Sequence, residues 1–195
     1  MHKLKKLSSN HRIFKGFIMN RKLRNDELDR ISVEEFQKIK KLPIAIVLDN
    51  VRSMNNVGSI FRSCDAFLVE KLYLCGITPT PPHRDIRKTA LGADESVSWE
   101  YSKSPLELIE LLKKEGYKII GIEQAAKKTL LNHFKPSLDE KFVFVFGSEV
   151  GGVSQEVINC CDEIVEIPQE GTKHSLNISV SVGVVLWHYR NALFV

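Results

Sequence analysis

From Phe142 to Ser154 the chain reads FVFVFGSEVGGVS. Aromatic and β-branched residues in an unbroken run are apolar on both faces of a strand, as expected in a parallel sheet covered by helices on either side. Gly147 ends that strand. Ser154 is placed to cap a short helix over 154–160. Upstream, Ile44–Leu48 (IAIVL) is a second run of the same kind, and residues 71–75, 97–101, 117–122 and 164–167 read as further strands. Between them the spacing predicts helices over 26–41, 56–67 and 105–115, a short basic helix or turn over 83–91, and a terminal helix over 175–193 whose apolar side includes Leu176, Val180, Val184 and Leu193. The prolines at 79, 81 and 82 exclude helix there. Strands alternating with helices imply an α/β fold with a mostly parallel sheet. Such folds bind ligands at the carboxyl ends of their strands.

With 195 residues, 43% hydrophobic and 27% charged, the composition is that of one ordinary globular domain. No apolar run approaches the ~18 residues of a membrane span, and no secretory signal is visible. The cysteines, Cys64, Cys75, Cys160 and Cys161, lack the spacing of a metal site or a disulfide framework. No metal is expected, and free thiols in a reducing cytosol are the simpler reading. The net charge of +4 is uneven: residues 1–25 hold eight lysines and arginines and no acid, so the rest of the chain nets −4. Residues 1–25 are read as a basic, flexible arm, residues 1–18 as an extension of little catalytic importance, and 26–195 as a single domain. Any affinity for nucleic acid rests on the arm and on local patches.

Three loops carry groups suited to chemistry. Asp49–Arg62 leaves a buried strand and enters a helix with Asn50, Asn55, Asn56, Gly58 and Arg62. The Arg62 guanidinium either forks onto a phosphate, or it snorkels to solvent or pairs with Asp65. Gly147–Ser154 presents glycine backbone to a ligand or makes a tight turn; it has neither GK[ST] nor GxGxxG. Ile167–Ser179 is a polar loop entering a helix, with Ser175 or Thr172 as possible caps and weak helix formers, Asn177 and Ser179, in the first turn. His174 is a lone loop histidine and is not cast as a base.

Together and in this order, the loops resemble the three motifs of the SpoU/TrmH family of SPOUT RNA methyltransferases. The first matches through Asn56, Gly58 and Arg62, the second through Gly147, Glu149 and Gly152, and the third through Ile167, Pro168, Gly171, Ser175, Leu176 and Asn177. Residues 87–93 also resemble the stretch between the first two motifs. The resemblance implies a C-terminal deep trefoil knot, S-adenosylmethionine as cofactor, a cytoplasmic homodimer, and methylation of a ribose 2′-hydroxyl in tRNA or rRNA. It assigns Arg62, Asn56, Glu149, Ser175 and Asn177 to the reaction centre. It assigns Glu123, Gln124, Gly147, Gly152, Ile167, Pro168 and Leu176 to the cofactor pocket. Arg84, Arg87, Lys88 and Lys173 are expected to contact RNA phosphates. Two features depart from the family pattern. Val150 stands where many relatives have glycine. No separate N-terminal RNA-binding domain is apparent, so the helix over 26–41 and the basic arm are expected to serve. The alternatives are a non-catalytic RNA-binding or ribosome-assembly factor of the same fold, and a small-molecule enzyme on a nucleotide-binding domain.

Overall fold

The computed structural model describes residues 21–28, 30–173 and 175–193. The chain divides into two compact units, Met1–Ile31 and Ser32–Val195. In the first, a 3-10 turn spans Asn25–Glu27, with Arg21 paired to Glu27 at 2.7 Å. The extension expected over 1–18 and most of the basic arm lie outside the described residues.

The second unit opens with α1 (Val33–Lys38), much shorter than the helix expected over 26–41. Ser32 starts it through a reciprocal capping box with Glu35, and Ile39 ends it in an extended conformation. Only Phe36 of this helix is buried, and Ile31 and Ile39, part of the apolar spacing expected over 26–41, are exposed.

Then β1 (Leu42–Asp49), α2 (Met54–Ala66), β2 (Val69–Cys75), α3 (Arg84–Ala90), α4 (Ala93–Ser96) and β3 (Trp99–Ser102) follow. They lead to α5 (Pro105–Lys114), β4 (Tyr117–Ile122), the two-residue β5 (Thr129–Leu130), β6 (Lys141–Gly147), α6 (Gln155–Cys160), β7 (Glu163–Glu166) and α7 (Ile178–Leu193). The strands form one sheet in the order β3-β2-β1-β6-β4-β7-β5, and every adjacent pair is parallel. The central β6 lies between β1 and β4, with Asp49 level with Gly147 and Ile122 level with Phe146.

Alternation along the strands loads both faces. Ile44, Ile46, Leu48, Phe142, Phe144 and Phe146 share one core with Ile60, Phe61, Leu186 and Tyr189 from α2 and α7. Ala45, Val47, Val143 and Val145 share the other with Ile109, Leu112 and Val157 from α5 and α6. Phe134 and Tyr189 meet the β6 rings edge-on at 5.7–6.1 Å between centroids.

The face of α7 is a correction. It buries Ile178, Val182, Val185, Leu186 and Tyr189, whereas Leu176, Val180 and Val184, expected on its apolar side, are exposed. α7 also starts later than expected. Asn177 precedes it and accepts the Ser179 N–H at 2.9 Å, so it caps the helix instead of sitting in the first turn. Ser154 makes no side-chain cap on α6.

Gly58 lets α2 lie against α3. A Cβ there would stand 2.1 Å from Thr89 Oγ1 and 2.3 Å from the Ile86 carbonyl oxygen. Gly58→Ala is therefore expected to lower unfolding stability by about 2 kcal/mol or more, the scale of a strained overpacked site. Denaturant titration checks this; an unchanged midpoint would mean that the helices separate freely.

Candidate active site

The site lies at the carboxyl ends of β1, β6, β4 and β7. At the end of β1 the buried run closes on Asp49, 1% exposed, followed by Asn50 in the left-handed region at φ 57. The next loop is stitched to the loop after β2. Thr78 Oγ1 accepts the Val51 N–H at 3.0 Å and donates to the Leu48 carbonyl at 3.2 Å, while Asn50 Oδ1 accepts the Ile77 N–H at 3.1 Å. Ser53 caps α2 by accepting the Asn56 N–H at 3.3 Å. This fixes Asn56 on the first turn. Arg62, further along α2, is exposed and forms no ion pair with a described residue. Asp65, its possible partner, instead accepts a hydrogen bond from Ser96 Oγ at 2.5 Å.

At the end of β6 the chain makes a cinched loop. The amides and carbonyls of Ser148 and Gly152 exchange hydrogen bonds at 3.0 and 3.1 Å. Gly147 is required for this return: a Cβ there would lie 1.8 Å from the Gly152 carbonyl carbon. Val150 stands at the loop tip, 95% exposed, so its side chain does not obstruct the turn.

Segments far apart in sequence converge here. Asn56 Nδ2 donates to Glu149 Oε1 at 2.8 Å, and Asn177 Nδ2 donates to Asn56 Oδ1 at 3.1 Å. Asn177 Oδ1 is occupied by the Ser179 N–H and hydroxyl. The bridge thus runs from the β6 loop through α2 to the start of α7.

Beside it is a cavity of about 840 Å³, lined by Glu123, Gln124, Gly147, Gly152, Ile167 and Leu176 among others. Glu149 and Ser175 also border it, whereas Pro168 does not. Among the described residues its charged lining consists of carboxylates, Glu123, Glu149 and Glu166, the last paired with Lys128 at 2.6 Å. Three of its lining residues, Gly147, Gly151 and Gly152, carry no side chain, which lets backbone groups face a ligand with several polar edges.

Arg84, Arg87 and Lys88 share α3, where Arg84 and Arg87 line one hollow with Pro82 and His83, and Lys173 lies on the loop before α7. Arg84, Lys88 and Lys173 are exposed without ion pairs to described residues, while Arg87 lies 3.7 Å from Asp94 and 3.6 Å from Glu95. His174 lies outside the described residues. Burial, with Asp49 nearby, pushes the Cys75 thiol up to about 12, and burial also raises Cys64, so neither is a nucleophile at neutral pH. Among the described residues no group of three His, Cys, Asp or Glu side chains is arranged to hold a metal. Sequence reasoning missed Asp49 and Thr78. An acid directly after a fully buried strand was the available signal, because a buried carboxylate requires donors.

The profile of the SpoU rRNA Methylase family matches residues 43–187. The chain is 30% identical over 168 residues to the 23S rRNA (guanosine-2′-O-)-methyltransferase RlmB of Coxiella burnetii, covering 83% of this chain and 64% of the relative. It spans about three-fifths of the length of the curated relatives it matches. Its fold superposes on the A. aeolicus TrmH/SpoU tRNA modifying enzyme with a TM-score of 0.73 at 24% identity, covering 82% and 80% of the two chains. It also superposes on an AdoMet-bound rRNA methyltransferase from Sinorhizobium meliloti with a TM-score of 0.73 at 22% identity, covering 82% and 61%.

The Asn56–Asn177 bond joins elements 121 residues apart. Asn56→Ala and Asn177→Ala are expected to couple by about 0.5–1.5 kcal/mol in a double-mutant cycle of unfolding stability. Strict additivity would show that the bridge is not formed in solution.

Proposed function

The chain belongs to the SpoU rRNA methylase family, and from that premise we propose that it methylates a ribose 2′-hydroxyl of RNA with S-adenosylmethionine. The observation that carries this reading is the meeting of Glu149, Asn56 and Asn177 at the edge of the cavity. The cavity residues fit the cofactor: the glycines of the β6 loop let backbone groups face a nucleoside, and among the described residues the charged lining is carboxylate, which suits a sulfonium. Gly147, Gly152, Ile167, Leu176, Glu123 and Gln124 would hold it; Pro168 stands just outside. When bound, S-adenosylmethionine supplies an electrophilic methyl group on positively charged sulfur.

The protein's own task is to position a weakly acidic hydroxyl and to stabilise charge as it develops. Arg62 is assigned to the phosphate beside the target ribose and to the developing oxyanion. A guanidinium with a pKa above about 12 is a poor base but a permanent charge and a forked donor. Its exposure and the lack of an ion pair to any described residue leave it available. Asn56 and Asn177, rigid through their mutual bond, and Ser175 orient the ribose, while Glu149 holds Asn56. Arg84, Lys88 and Lys173 are assigned to RNA phosphates, which makes binding salt-dependent. Arg87 is assigned there too, in competition with Asp94 and Glu95.

The same reading includes a C-terminal trefoil knot, supported by β6 lying between β1 and β4 and by Asn177 reaching back to Asn56. It places the methyltransferase domain at 26–195, behind the basic arm, and the protein in the cytoplasm. No described helix is long and apolar enough to cross a membrane. It also includes a homodimer, supported by an exposed apolar stripe on α7: Val180, Val184 and Trp187, the last 62% exposed.

The first test incubates purified protein with methyl-labelled S-adenosylmethionine and total ribosomal and small RNA lacking the modification, followed by mapping of 2′-O-methylation. Label in one ribose is expected; cofactor binding without label on any RNA would favour the non-catalytic RNA-binding reading. Arg62→Ala is expected to keep cofactor affinity within about twofold and to lower kcat on the order of 10²–10³-fold, the scale of a lost oxyanion donor. Turnover near wild type would remove Arg62 from the chemistry. Trp187→Glu is expected to give a folded monomer in sedimentation; an unchanged sedimentation coefficient would place the subunit interface elsewhere.

A further inference from the structure

Two carboxylates flank Gly147 at the end of the central strand. Asp49 ends β1 level with Gly147, and Glu123 follows Ile122 of β4, which is level with Phe146 of β6. They hold consecutive amides of the returning chain: Val153 N–H donates to Glu123 Oε2 at 3.0 Å, and Ser154 N–H donates to Asp49 Oδ2 at 2.8 Å. The second oxygen of each is also engaged. Glu123 Oε1 accepts the Gln124 N–H at 2.8 Å, and Asp49 Oδ1 accepts from Asn50 Nδ2 at 2.7 Å. Gly152 leaves room for the approach, since a Cβ there would lie 2.2 Å from Glu123 Oε2.

We propose that Asp49 and Glu123 are paired positioning residues, a clamp that holds the Gly147–Ser154 loop in its cofactor-accepting shape before the cofactor arrives; the proposal rests on the methyltransferase reading above. A carboxylate suits this role because both of its oxygens accept. An asparagine or glutamine of the same shape accepts on one side and presents N–H to N–H on the other. Charge-assisted bonds at low exposure are also among the stronger ones. The clamp reaches further than the loop, because Asn50, bonded to Asp49, accepts the Ile77 N–H and so fixes the approach to Asn56. A pocket held open in this way spares the cofactor the cost of ordering the loop. Neither residue needs to touch the reacting atoms.

The test uses the full chain and two readouts: calorimetric affinity for S-adenosylmethionine, and amide hydrogen exchange without ligand. Glu123→Gln is expected to weaken the cofactor about tenfold and to speed exchange at Val153, with the β6 amides as protected as in wild type. Asp49→Asn is expected to do the same through Ser154; should it fail to fold, Glu123→Gln carries the test. Weaker binding with unchanged exchange would mean that Glu123 acts on the cofactor only by direct contact, and would overturn the positioning role. Faster exchange with unchanged affinity would overturn it from the other side. Wild-type protein that binds no S-adenosylmethionine would sink the methyltransferase reading separately, and the exchange measurements would still decide whether the clamp exists.

Discussion

The chain leaving β6 returns so close to Gly147 that a methyl group there would overlap the Gly152 carbonyl carbon. That close return shapes the functional end of the molecule. It folds the loop into a narrow loop tied by the Ser148 and Gly152 backbones, turns Glu149 toward α2, and leaves Val150 outermost. It also places Gly147, Gly151 and Gly152 in the wall of the cavity.

A polar loop on top of a buried parallel sheet needs partners for groups withdrawn from water. Here they come from neighbouring strand ends: Asp49 from β1, Glu123 beyond β4 and Thr78 beyond β2. The result is a lateral web across strands that are distant in sequence, and Asn56 joins it to the start of α7. Polar satisfaction ties this edge together, while the two aromatic and aliphatic cores hold the sheet beneath it.

Strand positions were legible because an apolar run such as FVFVF has one good environment, burial on both faces, and β6 is found over the same residues with one more at each end. Loop motifs were legible too, since Asn56, Gly147, Glu149 and Asn177 lie at strand exits where a parallel sheet exposes its backbone. Two readings failed for identifiable reasons. Apolar spacing over 26–41 looked helical, but the Ser32 capping box starts a helix only at Val33 and Ile39 turns extended. In α7 the residues Ile178, Val180, Val182, Val184, Val185, Leu186 and Trp187 are apolar nearly all the way round, so periodicity had no means to choose the inward face.

The sequence by itself determined the alternation of strands and helices, the loops that carry polar groups, and the family, because these depend on local pattern and on residue types at fixed spacing. Tertiary structure alone decided which face of α7 is buried, that Asn177 caps that helix while binding Asn56, and that Asp49 and Glu123 grip adjacent amides. The reason is physical. Strand order and register bring together groups up to 121 residues apart, and a hydrogen bond is set by position in space, which no local run of residues encodes.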